Sequence, residues 1–173
     1  MEIIIIALSF IAPPLSNAEE ISHAKVGARK GVTAIKHDER FDLYELFWIA
    51  GLPWNAKWPS GWVLTTGLNI NAGILRAAHD NGFIGSVGPI LTFKKAKSRF
   101  SLILGFRLAL LDDYEFGDEQ LGGAFAFIEE VGLSYSLGWN LEAGYQFRHM
   151  SNADIYDHNP GLDLHVFELK YTF

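Results

Sequence analysis

The sequence of 173 residues contains no cysteine. This absence excludes disulfide bonds, thiolate metal ligands and a cysteine nucleophile. Basic residues are also scarce: the chain has 14 Lys and Arg and 20 Asp and Glu, which gives a formal net charge of -6. A nucleic-acid-binding protein would present a basic stripe, so the charge balance argues against nucleic acid as a partner.

Long apolar runs are absent after residue 19, where no stretch approaches the roughly 20 apolar residues of a transmembrane helix. A shorter apolar run at residues 3 to 12 is followed by a Pro-Pro pair and by Ser16-Asn17-Ala18, which offers small residues for cleavage. This order is typical of a secretory signal peptide, although Glu2 stands where a positive charge is expected. We predict a signal peptide at residues 1 to 18 and a single domain at residues 19 to 173.

Apolar residues are abundant instead, at 49% of the chain with 13 Phe, 6 Tyr and 5 Trp. They recur with a period of two, which is typical of strands with one apolar face. In the segment from residue 100 to residue 110 one face carries Phe100, Leu102, Leu104, Phe106, Leu108 and Leu110. The opposite face is mixed, with Ser101 and Arg107 among its members.

Seven breaks divide this pattern into eight strands. They fall at residues 36 to 40, 53 to 61, 79 to 82, 94 to 98, 112 to 120, 138 to 140 and 152 to 162. The first two strands are expected at residues 24 to 35 and 41 to 50. Two all-β architectures fit this count: a soluble lipocalin-like barrel with an apolar interior, and an outer-membrane barrel with an apolar exterior.

The last strand favours the membrane barrel. Phe173, Tyr171, Leu169 and Phe167 share one face, whereas Glu168 and Lys170 would lie in the core of a soluble barrel. A terminal aromatic strand resembles the assembly signal of bacterial outer-membrane barrels. We therefore predict an eight-stranded antiparallel up-and-down transmembrane β-barrel with a polar lumen and with both termini in the periplasm.

This orientation brings three reactive side chains together at the outer rim. His149 and Ser151 lie two residues apart and point to the lipid side of the seventh strand. Asp163 lies across the following hairpin on the same face. A serine needs an imidazole base, and the imidazole needs an acceptor on its far nitrogen, so the three could form a Ser-His-Asp triad. The spacing alone is weak evidence, because a histidine at a rim is usually only a solvated residue.

Two stretches, residues 147 to 153 (Phe-Arg-His-Met-Ser-Asn-Ala) and residues 159 to 163 (Asn-Pro-Gly-Leu-Asp), resemble the lipid A 3-O-deacylase (PagL) family of outer-membrane barrels. The similarity covers roughly residues 121 to 173 and includes segments around residues 121 to 123 and 127 to 132. It implies that Ser151 is the nucleophile, His149 the base and Asp163 the acid. A family member has Glu at the acid position, so the shorter Asp163 would need a backbone shift or would contact His149 less well.

Glu129 is a rival acid, because its position on the sixth strand would lie opposite His149. We favour Asp163 as the triad acid and Glu129 as a supporting residue. Asn152 and Asn159 are candidate donors to the oxyanion that forms during ester hydrolysis. Turn formation is the alternative role for both, because asparagine is well suited to turns, and for Asn159 it is nearly as strong an interpretation.

The resemblance implies a bacterial outer-membrane esterase that removes the 3-O-linked acyl chain of lipid A without a metal or another cofactor. Lipid A in the outer leaflet and the outer membrane itself are then the partners, and a homodimer is left open. Two other functions stay open: an acyl hydrolase, similar to acyloxyacyl hydrolases, that acts on another envelope lipid, and a structural or adhesive barrel without catalysis.

Overall fold

The computed structural model describes residues 24 to 35 and 38 to 173. The predicted signal peptide, residues 1 to 18, lies outside the described residues. The strands are β1 (Lys25–Thr33), β2 (Asp42–Lys57), β3 (Trp62–Ala77), β4 (Asp80–Lys95), β5 (Phe100–Leu111), β6 (Glu115–Phe116), β7 (Glu119–Gln120), β8 (Phe125–Gly138), β9 (Leu141–Ser151) and β10 (Leu162–Thr172).

Eight long strands close into an antiparallel barrel in the order β1-β10-β9-β8-β5-β4-β3-β2. Chain neighbours are also barrel neighbours, and β1 pairs with β10 to close the sheet. The predicted eight-stranded up-and-down barrel is therefore confirmed. The short strands β6 and β7 form a separate hairpin within the connection from β5 to β8. No helix within the described part of the chain is long and apolar enough to span a membrane.

The predicted break at residues 53 to 61 is too long. Strand β2 continues through Pro53 to Lys57, and its pairing with β3 shifts register between Leu52 and Ala56. Proline has no N–H to donate to a ladder, and a bulge lets the strand pass such a residue without losing the sheet. The adjoining turn is correspondingly short, at residues 58 to 61.

The barrel exterior is apolar along the strands, as the alternation predicts. On β5 the side chains of Phe100 and Leu110 are 59% and 64% exposed, whereas Ile103 and Arg107 are buried inside. On β10 the exposed residues are Phe167, Leu169 and Tyr171, and the two charged residues between them are buried. Such an exterior suits hydrocarbon rather than water, since soluble proteins rarely expose so large an apolar surface.

The interior differs from the predicted polar lumen at one end. We call this the loop end, where β9 ends and β10 begins; the opposite end holds the start of β1 and the end of β10. An apolar cluster fills the loop end: Phe41, Leu43, Leu75, Ala77, Ile84, Ala109, Leu111, Phe116, Leu121, Ala126, Ile128, Met150, Leu162, Leu164 and Val166. We call this cluster the apolar plug. It places packed side chains directly behind the strand ends that carry the candidate site.

Below the plug, charged residues span the lumen. Arg148 on β9 donates to Glu45 on β2 at 2.9 Å and to Glu130 on β8 at 3.3 Å. Arg107 on β5 donates to the same Glu130 at 2.9 Å. All four side chains are almost fully buried. The network ties β2, β5, β8 and β9 together through hydrogen bonds between opposite charges, which are stronger than neutral ones.

A second part of the network joins β1 and β10. Arg29 donates to Glu168 at 2.9 Å and to Asn71 at 2.5 Å. Gln146 donates to Glu168 at 2.9 Å, and Lys170 pairs with the same carboxylate. Glu168 and Lys170, which argued against a soluble core, therefore lie inside the barrel as partners.

Removing the charge of Arg148 should destabilise the barrel strongly. In Arg148→Met the side chain keeps its length, but Glu45 loses its hydrogen bond at 2.9 Å and retains the longer ion pair with Arg29 at 3.8 Å, while Glu130 loses one of two donors. Removing one partner from a buried ion pair typically costs about 3–5 kcal/mol. Urea unfolding of the protein in lipid vesicles measures this loss. The matched control is Lys30→Ala, whose pair with Asp42 is exposed and 3.9 Å long, and which should cost below about 1 kcal/mol. Equal losses in the two variants would contradict a stabilising role for the network.

Candidate active site

The candidate residues meet on the lipid-facing side of three adjacent strands. β9 lies between β8 and β10, and the register places Glu129 opposite His149 on one side and Asp163 opposite His149 on the other. Directly opposed residues of antiparallel strands have Cβ atoms about 4.5–5.5 Å apart. The predicted row of Glu129, His149 and Asp163 is therefore present at the loop end.

Within this row, Asp163 is the group that contacts the imidazole. Its Oδ1 lies 2.8 Å from His149 Nδ1. The His149 side chain is 43% exposed and that of Asp163 is 19% exposed, so the pair faces the surface without being fully solvated. The bond occupies Nδ1 and leaves Nε2 as the nitrogen available to a nucleophile, which is the division of roles in a catalytic triad.

The expectation of a weak contact from the shorter carboxylate is not met. Asp163 and His149 are direct cross-strand partners, so the strand pairing itself brings the carboxylate to 2.8 Å from the ring. Glu129 is exposed and makes no hydrogen bond or ion pair with the residues that the structure describes. Its place beside His149 is confirmed, whereas its role stays a prediction.

Ser151 lies two residues beyond His149 on the same face of β9 and pairs in register with Phe127 on β8. No side chain among the described residues hydrogen-bonds its hydroxyl group. Bonds between nucleophile and base are often long in the absence of substrate and tighten when it binds. Ser151 and His149 therefore share one face of β9, two residues apart, at the loop end.

Asn152 and Asn159 organise the loop that follows β9. The Asn152 side chain is buried and donates to the carbonyl oxygens of His158 at 2.7 Å and Leu121 at 3.4 Å. Asn159 accepts the Asn152 backbone N–H at 3.1 Å and donates to Asp154 at 2.9 Å. These contacts support the alternative, turn-forming role of both residues. Their side-chain amide donors face loop atoms in this state.

The connection from β5 to β8 supports the same loop. Gly122 has φ +90°, a value that favours glycine, and a Cβ there would collide with the His158 carbonyl. The Tyr156 hydroxyl accepts the Phe125 backbone N–H at 3.3 Å. The two connections therefore pack against each other, and their contact helps to set the position of Asn152.

Gly161 is a site residue whose importance the sequence pattern did not reveal. It has φ +67°, and a Cβ at this position would lie 3.1 Å from His149 Cε1 and 3.9 Å from Nε2. The missing side chain leaves room beside the edge of the ring that a nucleophile must approach. The sequence signals for this role are its place in the stretch at residues 159 to 163 and its position two residues before Asp163.

A cavity in the lumen is remote from this site. It has a volume of about 580 Å³ and opens at the other end of the barrel, with Lys25, Lys94 and Lys170 in its wall. Within residues 24 to 35 and 38 to 173, no group of three or more His, Cys, Asp or Glu side chains is arranged to hold a metal ion. The cavity and the candidate residues thus lie at opposite ends of the barrel.

The sequence model of the family described as lipid A 3-O-deacylase (PagL) matches residues 42–172 of the chain. The chain belongs to this family. The match begins at the start of β2 and reaches the end of β10, so it extends the similarity well upstream of the motif. Membership of the PagL family agrees with the outer-membrane architecture of the barrel.

A curated relative agrees with the assignment to this family. The lipid A deacylase PagL of Bordetella bronchiseptica is 35% identical over 75 residues, which are 43% of this chain and 41% of that protein. The chain thus matches less than half the length of this curated relative.

Two solved structures share the fold. The crystal structure of the outer membrane enzyme PagL superposes with a TM-score of 0.74 at 18% identity, covering 86% of this chain and 99% of that one. Neisserial surface protein A has a TM-score of 0.53 at 11% identity, covering 87% and 96% of the two chains. At these identities both structures inform on the fold alone.

Adding a methyl group at Gly161 should displace the His149 ring. Gly161→Ala places the methyl carbon 3.1 Å from Cε1, so the imidazole or the loop must move. Gly138→Ala is the matched control, because Gly138 also has positive φ, at +99°, but its Cβ would meet nothing within 4 Å. We expect the ¹⁵N shifts of the His149 imidazole to change in the first variant only. Unchanged shifts in Gly161→Ala would contradict a role in shaping the site.

Proposed function

We propose that this protein is an outer-membrane serine esterase that hydrolyses the 3-O-linked acyl chain of lipid A. The observation that carries the proposal is the 2.8 Å contact between His149 Nδ1 and Asp163 beside Ser151 on one strand face. Membership of the lipid A 3-O-deacylase family supplies the substrate. The exported domain is residues 19 to 173, after removal of the signal peptide at residues 1 to 18.

In the proposed mechanism, Ser151 Oγ attacks the ester carbonyl carbon while His149 Nε2 takes its proton. Asp163 holds the ring through Nδ1 and stabilises the imidazolium that forms. Collapse of the tetrahedral intermediate breaks the bond to the sugar oxygen, and His149 returns the proton to this leaving group. Water, activated by the same imidazole, then hydrolyses the acyl-enzyme and releases the fatty acid.

The tetrahedral intermediate needs donors where negative charge develops. We assign this task to the loop that contains Asn152 and Asn159. The Asn152 backbone N–H and the Asn159 side chain are paired at 3.1 Å in the resting structure, so a small movement of the loop would redirect donors to the oxyanion. The buried Asn152 side chain anchors the loop during this movement.

The position of the site suits a substrate that is itself a membrane lipid. With both termini in the periplasm, the loop end faces the cell exterior, and the candidate residues lie where the outer leaflet begins. Lipid A can reach them by lateral diffusion. Beside Ser151 the wall is aromatic, because its cross-strand partner Phe127 packs on Phe125 and on Phe106 with ring centroids 5.1 Å and 5.8 Å apart. This surface fits the acyl chain that is to be released.

The two other functions make different demands on the same residues. An acyl hydrolase acting on another envelope lipid would use the same three side chains but release a different acyl group. A structural or adhesive barrel would need none of them, because a fold by itself does not imply a function. Neisserial surface protein A shares this fold. The homodimer stays a prediction.

Loss of the nucleophile should abolish the reaction. In bacteria that express Ser151→Ala, we expect lipid A to keep the acyl chain that the wild type removes, as measured by mass spectrometry of extracted lipid A. A heat-modifiable shift on gel electrophoresis serves as the control for barrel assembly. Identical spectra for wild type and variant would contradict the esterase, and loss of a chain from another position would favour the alternative hydrolase.

Two carboxamide variants separate the rival acids. Asp163→Asn removes the carboxylate 2.8 Å from His149 Nδ1, and we expect a decrease in kcat of roughly 10³–10⁴-fold, the size of effect seen for triad carboxylates. Glu129→Gln should lower kcat by less than about tenfold, because an exposed supporting charge contributes little. Initial rates on purified lipid A in detergent micelles measure both. The reverse ranking would make Glu129 the triad acid.

A further inference from the structure

The cavity in the lumen opens at the end of the barrel away from the candidate site. We call this end, where β1 begins and β10 ends, the terminal end. Among the described residues, the charged side chains in the cavity wall are one acid, Glu142, and six bases: Lys25, Lys57, Lys94, Lys97, Arg99 and Lys170. The whole chain has a formal net charge of -6. The surplus of positive charge is therefore local to this opening.

One side of the opening is balanced in charge. Lys25 on β1 donates to Glu142 on β9 at 2.7 Å. Lys170 on β10 lies 3.5 Å from the same carboxylate and also pairs with Glu168. These two ammonium groups already have carboxylate partners within the barrel, so they are not the groups that would take up an anion.

The opposite side of the barrel is not balanced. Lys94 lies at the end of β4, and Lys97 and Arg99 lie in the turn that leads to β5. Neither lysine forms a hydrogen bond or an ion pair with any residue in the ranges 24 to 35 and 38 to 173. Arg99 donates to the Tyr135 hydroxyl at 3.4 Å. Within the described chain, three cations on one side of the cavity thus have no carboxylate partner.

The polarity of the cavity wall changes with depth along β4. Lys94, Thr92 and Ile90 occupy every second position and all line the cavity. Successive residues on one face of a strand are about 6.6 Å apart. Thr92 pairs in register with Thr65 on β3 and with Ile103 on β5. The wall therefore runs from ammonium groups at the opening through hydroxyl groups to isoleucines.

Apolar side chains close the inner end of this gradient. Ile49, Ile90 and Ile103 line the cavity and form a buried cluster with Phe47. We call these three residues the isoleucine floor. One register position deeper, the Arg29 guanidinium lies 3.8 Å from the centre of the Phe47 ring. The floor therefore separates the cavity from the charge network of the lumen, and its side chains offer a ligand only apolar contact.

We propose that this cavity binds a single-chain carboxylate similar to a fatty acid, with the carboxylate at Lys94 and Lys97 and the hydrocarbon tail on the isoleucine floor. The volume of about 580 Å³ lies within the range of about 300–1,000 Å³ that is typical of small-molecule sites. Such sites are mostly apolar, with a few polar groups that fix the orientation of the ligand. The cavity uses none of the residues assigned to ester hydrolysis, so this binding function is separate from the proposed activity.

Charge and polarity together select this class of ligand. Positive charge in a cleft with low-dielectric walls raises the local concentration of anions and repels cations. A small inorganic anion would pair with the lysines but leave the isoleucine floor in contact with water. An uncharged amphiphile would cover the floor but leave the lysines without a partner. A carboxylate with an apolar tail meets both requirements.

The test is a titration of the barrel with octanoate in nanodiscs of dimyristoylphosphatidylcholine, with ¹³C-labelled isoleucine δ1-methyl groups. We expect saturable shifts of the methyl resonances of Ile49, Ile90 and Ile103. Acetate supplies the charge without the tail, and octyltrimethylammonium supplies the tail with the opposite charge. We expect no saturable shift from either compound at the concentrations at which octanoate saturates the site.

Two neighbouring lysines supply a variant and its matched control. Lys94→Gln removes a charge from the cavity wall, and we expect the Kd for octanoate to rise by at least about tenfold, the worth of a hydrogen bond to a charged group. Lys97→Gln repeats the test from the turn. Lys95→Gln removes the same charge from an exposed residue outside the wall and should leave the Kd within about twofold. A heat-modifiable shift on gel electrophoresis checks that each variant forms the barrel.

Three results would overturn the site. The first is the absence of a saturable shift at the isoleucine floor with octanoate. The second is binding of acetate or octyltrimethylammonium as tightly as octanoate. The third is an equal Kd for octanoate in the wild type, Lys94→Gln and Lys97→Gln. Each of these results leaves the proposed esterase in place, because the Ser151→Ala comparison tests that function separately.

Discussion

The structure depends on the contact of the Arg148 guanidinium with two carboxylates across the lumen. Arg148 reaches Glu45 on β2 and Glu130 on β8 while its own backbone lies on β9. The pairs must form together, because burying any one of these charges alone would cost several kcal/mol. A barrel wall held only by strand ladders could slip in register, but a charge network with fixed partners allows one register.

That register is what builds the candidate site. Arg148 and Glu130 are inward-facing cross-strand partners, and the next position along the same two strands pairs His149 with Glu129 on the outside. A one-residue slip would turn the histidine into the lumen. The apolar plug contributes in the same way, because Met150 and Leu162 pair in register and are buried directly behind the row of His149 and Asp163. The candidate site on the lipid side is thus supported by packing and charge pairing on the inner side.

Part of this arrangement could be predicted from the sequence, because alternation with a period of two shows which residues share one face of a strand. It predicted eight strands, the apolar exterior, and the shared face of His149, Ser151 and Asp163. The prediction of a polar lumen was incomplete. Alternation shows which residues point inward, but it does not show at which depth in the barrel the inward residues are apolar. The length of the turn at residues 53 to 61 was overestimated, because a proline usually marks the end of a strand. Here β2 accommodates the proline at a bulge in its pairing with β3.

By itself the sequence determined the strand pattern, the membrane-facing exterior and the motif that points to ester hydrolysis. Only the tertiary structure decided which carboxylate holds the imidazole, because Asp163 and Glu129 both lie opposite His149 and only Asp163 has its oxygen within 2.8 Å of Nδ1. It also decided the place of Gly161 beside the ring and the meeting of three isoleucines at the floor of the lumen cavity. The reason is physical: such contacts join residues that are separated along the chain and meet only when the barrel closes.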